Sequence, residues 1–168
     1  TVWNSPWLEA CDAASLAPLL LWFRGGLTNA AFNELDRHIL SSSSPGNSGS
    51  GAGGPALLSE MPGGASTFGA SAPTTSITRE DILAHSAAVA AFLSQSSSLG
   101  HRVAIHMLNG IATAVWIEGC KRVAVPFTAS AVGTPSASLA HRLRDFGATV
   151  VVASEVVLMV AKQAIESL

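Results

Sequence analysis

Three short apolar runs, His101–Leu108, Val123–Phe127 and Ala148–Ala153, alternate with segments of helical periodicity, and this alternation limits the fold more than any other feature. The first reads as a short apolar run instead of an alternation, which suits a strand buried on both faces. A helix is expected near Ile111–Cys120. Leu139, Leu143 and Phe146 then mark one face of another, with His141, Arg144 and Asp145 opposite and Gly147 as its stop. A last helix is expected to run toward Leu168. Upstream, Thr78-Arg79-Glu80-Asp81 has the form of a capping box, and Ile82, Val89, Phe92 and Leu93 line the helix that follows, ending near Leu99-Gly100. Strand, helix, strand, helix, strand at this spacing predicts an α/β fold: a partial open parallel sheet with flanking helices.

Composition agrees with a buried sheet. Of 168 residues, 48% are hydrophobic and only 12% charged, too few charges for a solvated helical rod. The net charge of -2 gives no electrostatic case for nucleic acid or an anionic membrane surface. Leu16–Phe23 is too short to span a bilayer, and Ser154 and Glu155 interrupt the apolar stretch Ala148–Ala161. Cys11 and Cys120 are too few for a disulfide framework or a zinc site. The expectation is a soluble protein of a reduced compartment, cytoplasmic or organellar, with no targeting segment visible. The chain begins at Thr1 without an initiator Met, so the native N-terminus is expected to lie upstream.

A break in composition divides the chain. From Ser41 to about Ser76 it is dominated by Ser, Gly, Ala and Pro, and such a segment cannot bury enough surface to offset its ordering entropy. Residues 1–40 thus form an N-terminal segment, 41–76 a flexible insertion and 77–168 the βαβ part. Before the break Leu27, Ala31, Leu35 and Ile39 recur every four residues, widened by Phe32; this predicts an amphipathic helix capped by Thr28 or Asn29.

The candidate chemistry is sparse. Gly25-Gly26 precedes a helix, but a phosphate loop needs further glycines and a Lys-Ser or Lys-Thr, so a tight turn is the reading. Asp36-Arg37-His38 are neighbours, and helical neighbours point about 100° apart, so they do not converge on one atom. His38 falls near the apolar stripe, whereas Asn29, Asn33, Asp36 and Arg37 share the opposite side and are spaced for a structural polar network. His101 and His106 fall on opposite faces of one strand and cannot chelate one metal. No Gly-x-Ser-x-Gly turn occurs. No catalytic residue and no metal ligand is therefore assigned. The best ligand-facing candidate is the loop Thr128–Pro135, because ligands of open parallel sheets sit beyond the carboxyl ends of the strands.

The string Trp22-Phe23-Arg24-Gly25-Gly26-Leu27-Thr28-Asn29-Ala30-Ala31-Phe32-Asn33-Glu34-Leu35-Asp36-Arg37-His38 resembles the WF-x-GG-x-x-N-x-x-x-N-x-x-DRH segment that opens the adenylating domain of AMP-forming acetyl- and propionyl-CoA synthetases. Ile77–Asp81 is similar to their I-T-Y-R-E-L helix start, Gly100–Met107 to their G-D-R-V-A-I-Y-M strand, Leu139–Leu143 to L-A-D-R-I and Val150–Ala153 to V-V-I-T. The wording Leu27–Asn33 leans toward the propionyl-CoA synthase branch. The resemblance implies the N-terminal part of an acyl-adenylating domain. Its parent would use ATP, Mg and CoA to convert a small carboxylic acid to its CoA thioester, with the remainder of the synthetase chain as partner and with neither nucleic acid nor membrane.

The resemblance also implies that the family's phosphate loop, acyl pocket and catalytic lysine lie downstream, so this piece alone is expected to be inactive. Where acetyl-CoA synthetases carry F-G-G-F-S beside the CoA channel, the chain has Phe127-Thr128-Ala129-Ser130-Ala131, which makes Phe127, Thr128, Ala129 and Ser130 the candidate CoA-binding residues. The family's A-D-E-G-V-R-A-G-R is replaced by Ala153–Lys162, with Lys162 as the displaced positive charge. The competing expectation is a non-catalytic α/β interaction module derived from such an enzyme.

Overall fold

A computed structural model describes residues 2–12, 21–42, 55–60, 74–95 and 100–168. Its core is a parallel sheet of three strands in the order β6-β5-β7: β5 (Val103–His106) lies between β6 (Phe127–Ser130) and β7 (Val150–Ala153). Val103 pairs with Phe127 on one side and with Val150 on the other. All four residues of β5 are buried: Val103, Ala104 and Ile105 as an apolar run predicts for a central parallel strand, and the polar His106 with them.

The pleat gives the sheet two different faces. Val103 and Ile105 pack with Leu93, Met107 and Cys120, under α2 (Arg79–Gln95) and α3 (Ile111–Arg122). Ala104 points the other way, into Leu139, Ala140, Leu143, Ala161 and Ala164 of α4 (Ser136–Phe146) and α5 (Leu158–Glu166). Gly147, with φ of 65°, ends α4 as the sequence predicts; the next amide, Ala148 N–H, donates to Leu143 O at 2.9 Å.

The second strand starts later than its apolar residues suggest. Val123 and Val125 belong to the core yet precede β6, because Ala124 takes a left-handed φ of 53° and Val125 N–H turns back to Cys120 O. Pro126 has no N–H to give a ladder, so pairing begins at Phe127. In α2 the buried face is Ile82, Ser86, Ala90 and Leu93, while Phe92 is 52% exposed and meets Trp116 edge-on. Thr78 caps this helix: its Oγ accepts from Asp81 N–H at 3.1 Å and donates to the Asp81 carboxylate at 2.8 Å.

Two antiparallel pairs were not expected. β1 (Glu9–Asp12) pairs with β2 (Leu21–Arg24), and β3 (Pro55–Glu60) with β4 (Thr74–Thr78). β3 lies within the Ser/Gly/Pro-rich stretch; Leu57 pairs with Ile77, and Ala56 packs on the cluster of Leu35, Ile77 and Ile82. Residues 43–54 and 61–73, which the insertion also contains, lie outside the described residues, as do Leu16–Leu20 of the early apolar run. No helix among the described residues is long and apolar enough to cross a membrane.

Candidate functional site

The opening string is a joint between elements. Gly25 has a φ of 77°, which a side chain resists, and a Cβ on Gly26 would stand 2.6 Å from the Trp3 ring. The glycine pair is therefore a tight turn against an aromatic cluster in which Trp3, Trp7 and Phe23 lie within 5.5 Å of one another. Leu27 leaves the stripe assigned to it. It is 65% exposed and bridges to Ser5, while the helix begins only after Asn29, whose Oδ1 accepts from Phe32 N–H at 3.0 Å. A π-helical turn, Phe32–Asp36, runs into α1 (Arg37–Ser42). Its wider turn shifts the register of the residues that follow. Ala31 and Leu35 stay buried, whereas His38 is exposed and sits beside Arg37 Nε instead of on the apolar stripe.

The polar side of this segment has two attachments. Asn33 holds the N-terminal arm at both backbone groups of Val2: Oδ1 accepts from its N–H at 2.5 Å, and Nδ2 donates to its carbonyl at 2.9 Å. Asp36 reaches across 86 residues to Arg122 at the end of α3, with two parallel bonds of 2.6 and 2.8 Å. Arg122 Nε donates to Ser86 Oγ at 2.8 Å, and Asn29 Nδ2 donates to the Arg122 carbonyl at 3.1 Å. This explains why Ser86 is fully buried on a face where an apolar residue is expected. The Asp36 hydrogen bond, set against burial, holds the Arg122 guanidinium above its ordinary pKa. Next to it, burial works against the Lys121 charge, but hydrogen bonds to Glu34 at 2.5 Å and Glu118 at 2.9 Å outweigh it and raise its pKa. A cavity of about 390 Å3 opens beside the joint, lined by Val2, Trp3, Asn4, Asn29, Phe32, Asp36 and Arg122. Its two charges already satisfy each other, so the arrangement is structural.

The carboxyl edge of the parallel sheet is where a ligand would meet the fold. Thr128, Ala129 and Ser130 belong to β6 itself, so the connection to α4 is Ala131–Pro135. The pleat divides the four candidate residues. Phe127 packs into the core beneath α2 and α3, Ala129 shares its parity, and Thr128 and Ser130 face the side of α4 and α5. Ser130 lies opposite His106, and His106 Nδ1 is 2.9 Å from Ser130 Oγ. His106 is fully buried, and its Nε2 has no hydrogen-bond partner among the described residues. His101 is separate, with Nδ1 3.2 Å from Thr149 Oγ. Lys162 is exposed on α5. Among the described residues no group of three or more His, Cys, Asp or Glu is placed to hold a metal ion.

Sequence reasoning assigned Asp36 to a polar network but did not find Arg122 or Ser86, which complete it. The available signal was scarcity: with 12% charged residues, an intrasegment carboxylate has few cations to choose from, and Lys121-Arg122 end the next helix. The His106–Ser130 pair was also missed, since register across two strands is needed to see it.

The α/β fold is similar to part of a solved ligase structure. A benzoate CoA ligase from Burkholderia xenovorans LB400 superposes with a TM-score of 0.51, at 21% identity, over 55% of this chain and 19% of that one. Among curated proteins, the chain is 29% identical over 154 residues to an acetyl-coenzyme A synthetase of Paraburkholderia phymatum and 28% identical to one of Chromobacterium violaceum, covering 91% and 89% of its own length. The resemblance carried by the opening string thus extends to nearly the whole chain. The chain spans about one fifth of these relatives, 21% and 20% of their lengths. No family model matches it.

Proposed function

We propose that the chain is the N-terminal part of an AMP-forming short-chain acyl-CoA synthetase, which converts a small carboxylic acid, ATP and CoA to acyl-CoA, AMP and pyrophosphate. The observation that carries this reading is similarity to acetyl-coenzyme A synthetases over 91% of the chain. The parent reaction needs Mg²⁺ and cationic or amide donors to stabilise phosphate charge during adenylation. In this reading those groups come from the rest of the synthetase, the 168-residue piece adenylates nothing by itself, and its own contribution is scaffold. The joint at Asp36 and Arg122 holds the opening segment on α3, and the carboxyl edge at Thr128–Ser130 borders the channel for the CoA thiol arm. The Leu27–Asn33 wording supports the propionyl-CoA synthase branch within this class.

The second reading is a non-catalytic interaction module. It is favoured by the departures at the CoA-facing positions, where Thr128 and Ala129 replace glycines and the Ala153–Lys162 stretch lacks arginines. The intact mass of the endogenous protein separates the two. A mass several times 17.1 kDa, together with ATP–pyrophosphate exchange driven by acetate or propionate, is expected for the synthetase. A mass near 17.1 kDa without exchange would leave the module.

A further inference from the structure

The geometry points to His106 as a positioning residue that fixes Ser130 as a hydrogen-bond donor toward a ligand oxygen, either an amide carbonyl or a phosphate. This rests on the CoA-channel reading of the β6 edge and goes past it, because it assigns a role to a residue outside the resembled loop. His106 is fully buried; Nδ1 lies 2.9 Å from Ser130 Oγ, and Nε2 has no partner among the described residues. A proton on Nε2 would be a buried N–H with no acceptor, the rarer and costlier defect. A proton on Nδ1 is used in the bond to Ser130 and leaves only an idle lone pair on Nε2. The Nδ1–H tautomer is therefore the one this environment selects.

The consequence falls on Ser130. Its oxygen accepts from His106, so its own hydrogen is directed to another acceptor. Ser130 is half-buried at the last position of β6, next to the loop Ala131–Pro135 in which Ala131 and Gly133 are exposed. That is the ligand-facing end of a parallel strand. The resembled strand carries Tyr where this chain has His106. A phenol hydrogen rotates about its C–O bond, whereas the imidazole donor is fixed in the ring plane. A serine held in this way needs no reorientation when a carbonyl or phosphate oxygen arrives.

The test uses the full-length protein that carries this chain, labelled with 15N at histidine, with CoA and with pantetheine as probes. Long-range 1H–15N spectra of the unmodified protein are expected to give the Nδ1–H tautomer at His106. Calorimetric CoA binding is expected to weaken about tenfold in Ser130→Ala and in His106→Leu. His106→Asn, whose amide nitrogen stands where Nδ1 does, should keep it. Pantetheine has no phosphates: if its binding also depends on Ser130, the acceptor is an amide carbonyl, and if only CoA binding does, it is a phosphate. An Nε2–H tautomer, or CoA binding indifferent to both Ser130→Ala and His106→Leu, overturns the inference and leaves the channel reading standing. No CoA binding by the unmodified full-length protein overturns both.

Discussion

Arg122 links three elements through one guanidinium, which makes its partners unequal in what their loss does. Removing the carboxylate in Asp36→Ala leaves a cation whose side chain is 15% exposed without its two bonds. A charge left unpaired in that position is expected to cost about 3 kcal/mol, the low end for buried pairs because water still reaches it. Urea denaturation followed by far-UV circular dichroism measures this. In the synthetase proposed above, the same variant should lose stability while the adenylation rate per folded molecule stays; a collapsed rate with unchanged melting would assign Asp36 to the chemistry instead. Cys120 gives the pH dependence. Burial raises its thiol from 9.0 to about 11, so the folded state keeps a proton that the unfolded state has released. Stability is therefore intact below pH 9.0 and falls as pH rises toward about 11, by roughly 2–3 kcal/mol at 1.36 kcal/mol per unit. Cys120→Ala should flatten the melting-temperature profile across that window. Lys121, whose raised pKa acts in the same direction, adds a loss of stability as pH rises past the ordinary lysine value.

At the scale of elements, the contact between α2 and α3 is set by a residue with no side chain. A Cβ on Gly119 would stand 2.6 Å from Val89 Cβ and 3.2 Å from the Ser86 carbonyl, so the two helices meet backbone to side chain along this line. Helix propensity alone favours Gly119→Ala by about 1 kcal/mol, yet the clash with a β-branched neighbour outweighs it, and a net loss of about 1–2 kcal/mol is expected. Combining it with Val89→Ala should recover part of that loss, since the Val89 Cγ1 methyl nearest the new Cβ is then gone while Val89 Cβ stays. A double-mutant cycle in urea reads the coupling, and additive losses would show that the helices already stand apart. The alternation of apolar runs and helical periods was legible in the sequence because each βαβ element carries its own signal: uniform burial for β5, a left-handed glycine at Gly147, a capping threonine at Thr78. The hairpin pairs and the late start of β6 were not. Pairing of β3 with β4 is decided by a partner strand across the insertion, and the left-handed φ of Ala124 breaks a run of valines that reads as continuous strand.

For the whole molecule, the legible and illegible parts of the site divide by distance along the chain. The side of the helix that carries Asn29, Asn33 and Asp36 follows from local spacing, but what that side holds, the arm at Val2 and the end of α3 at Arg122, depends on contacts 31 and 86 residues away. Those two attachments are predicted to differ in kind. Arg122 and Ser86 tie the opening segment into the helices over the central sheet, so Asp36→Ala acts on global stability. Asn33 ties down only the first residues, and the arm it holds is largely exposed: Trp7 is 40% and Leu8 89% accessible. Losing Asn33 should thus open the arm locally while the core strands stay protected, as expected for a unit with few buried contacts. Asn33→Ala is predicted to shift tryptophan emission to the red as Trp3 leaves Gly26, and to speed proteolytic cleavage near Val2–Leu8, with little change in the urea midpoint by circular dichroism. If the midpoint falls as far as in Asp36→Ala, the arm folds as one unit with the α/β core, and the two attachments are a single joint.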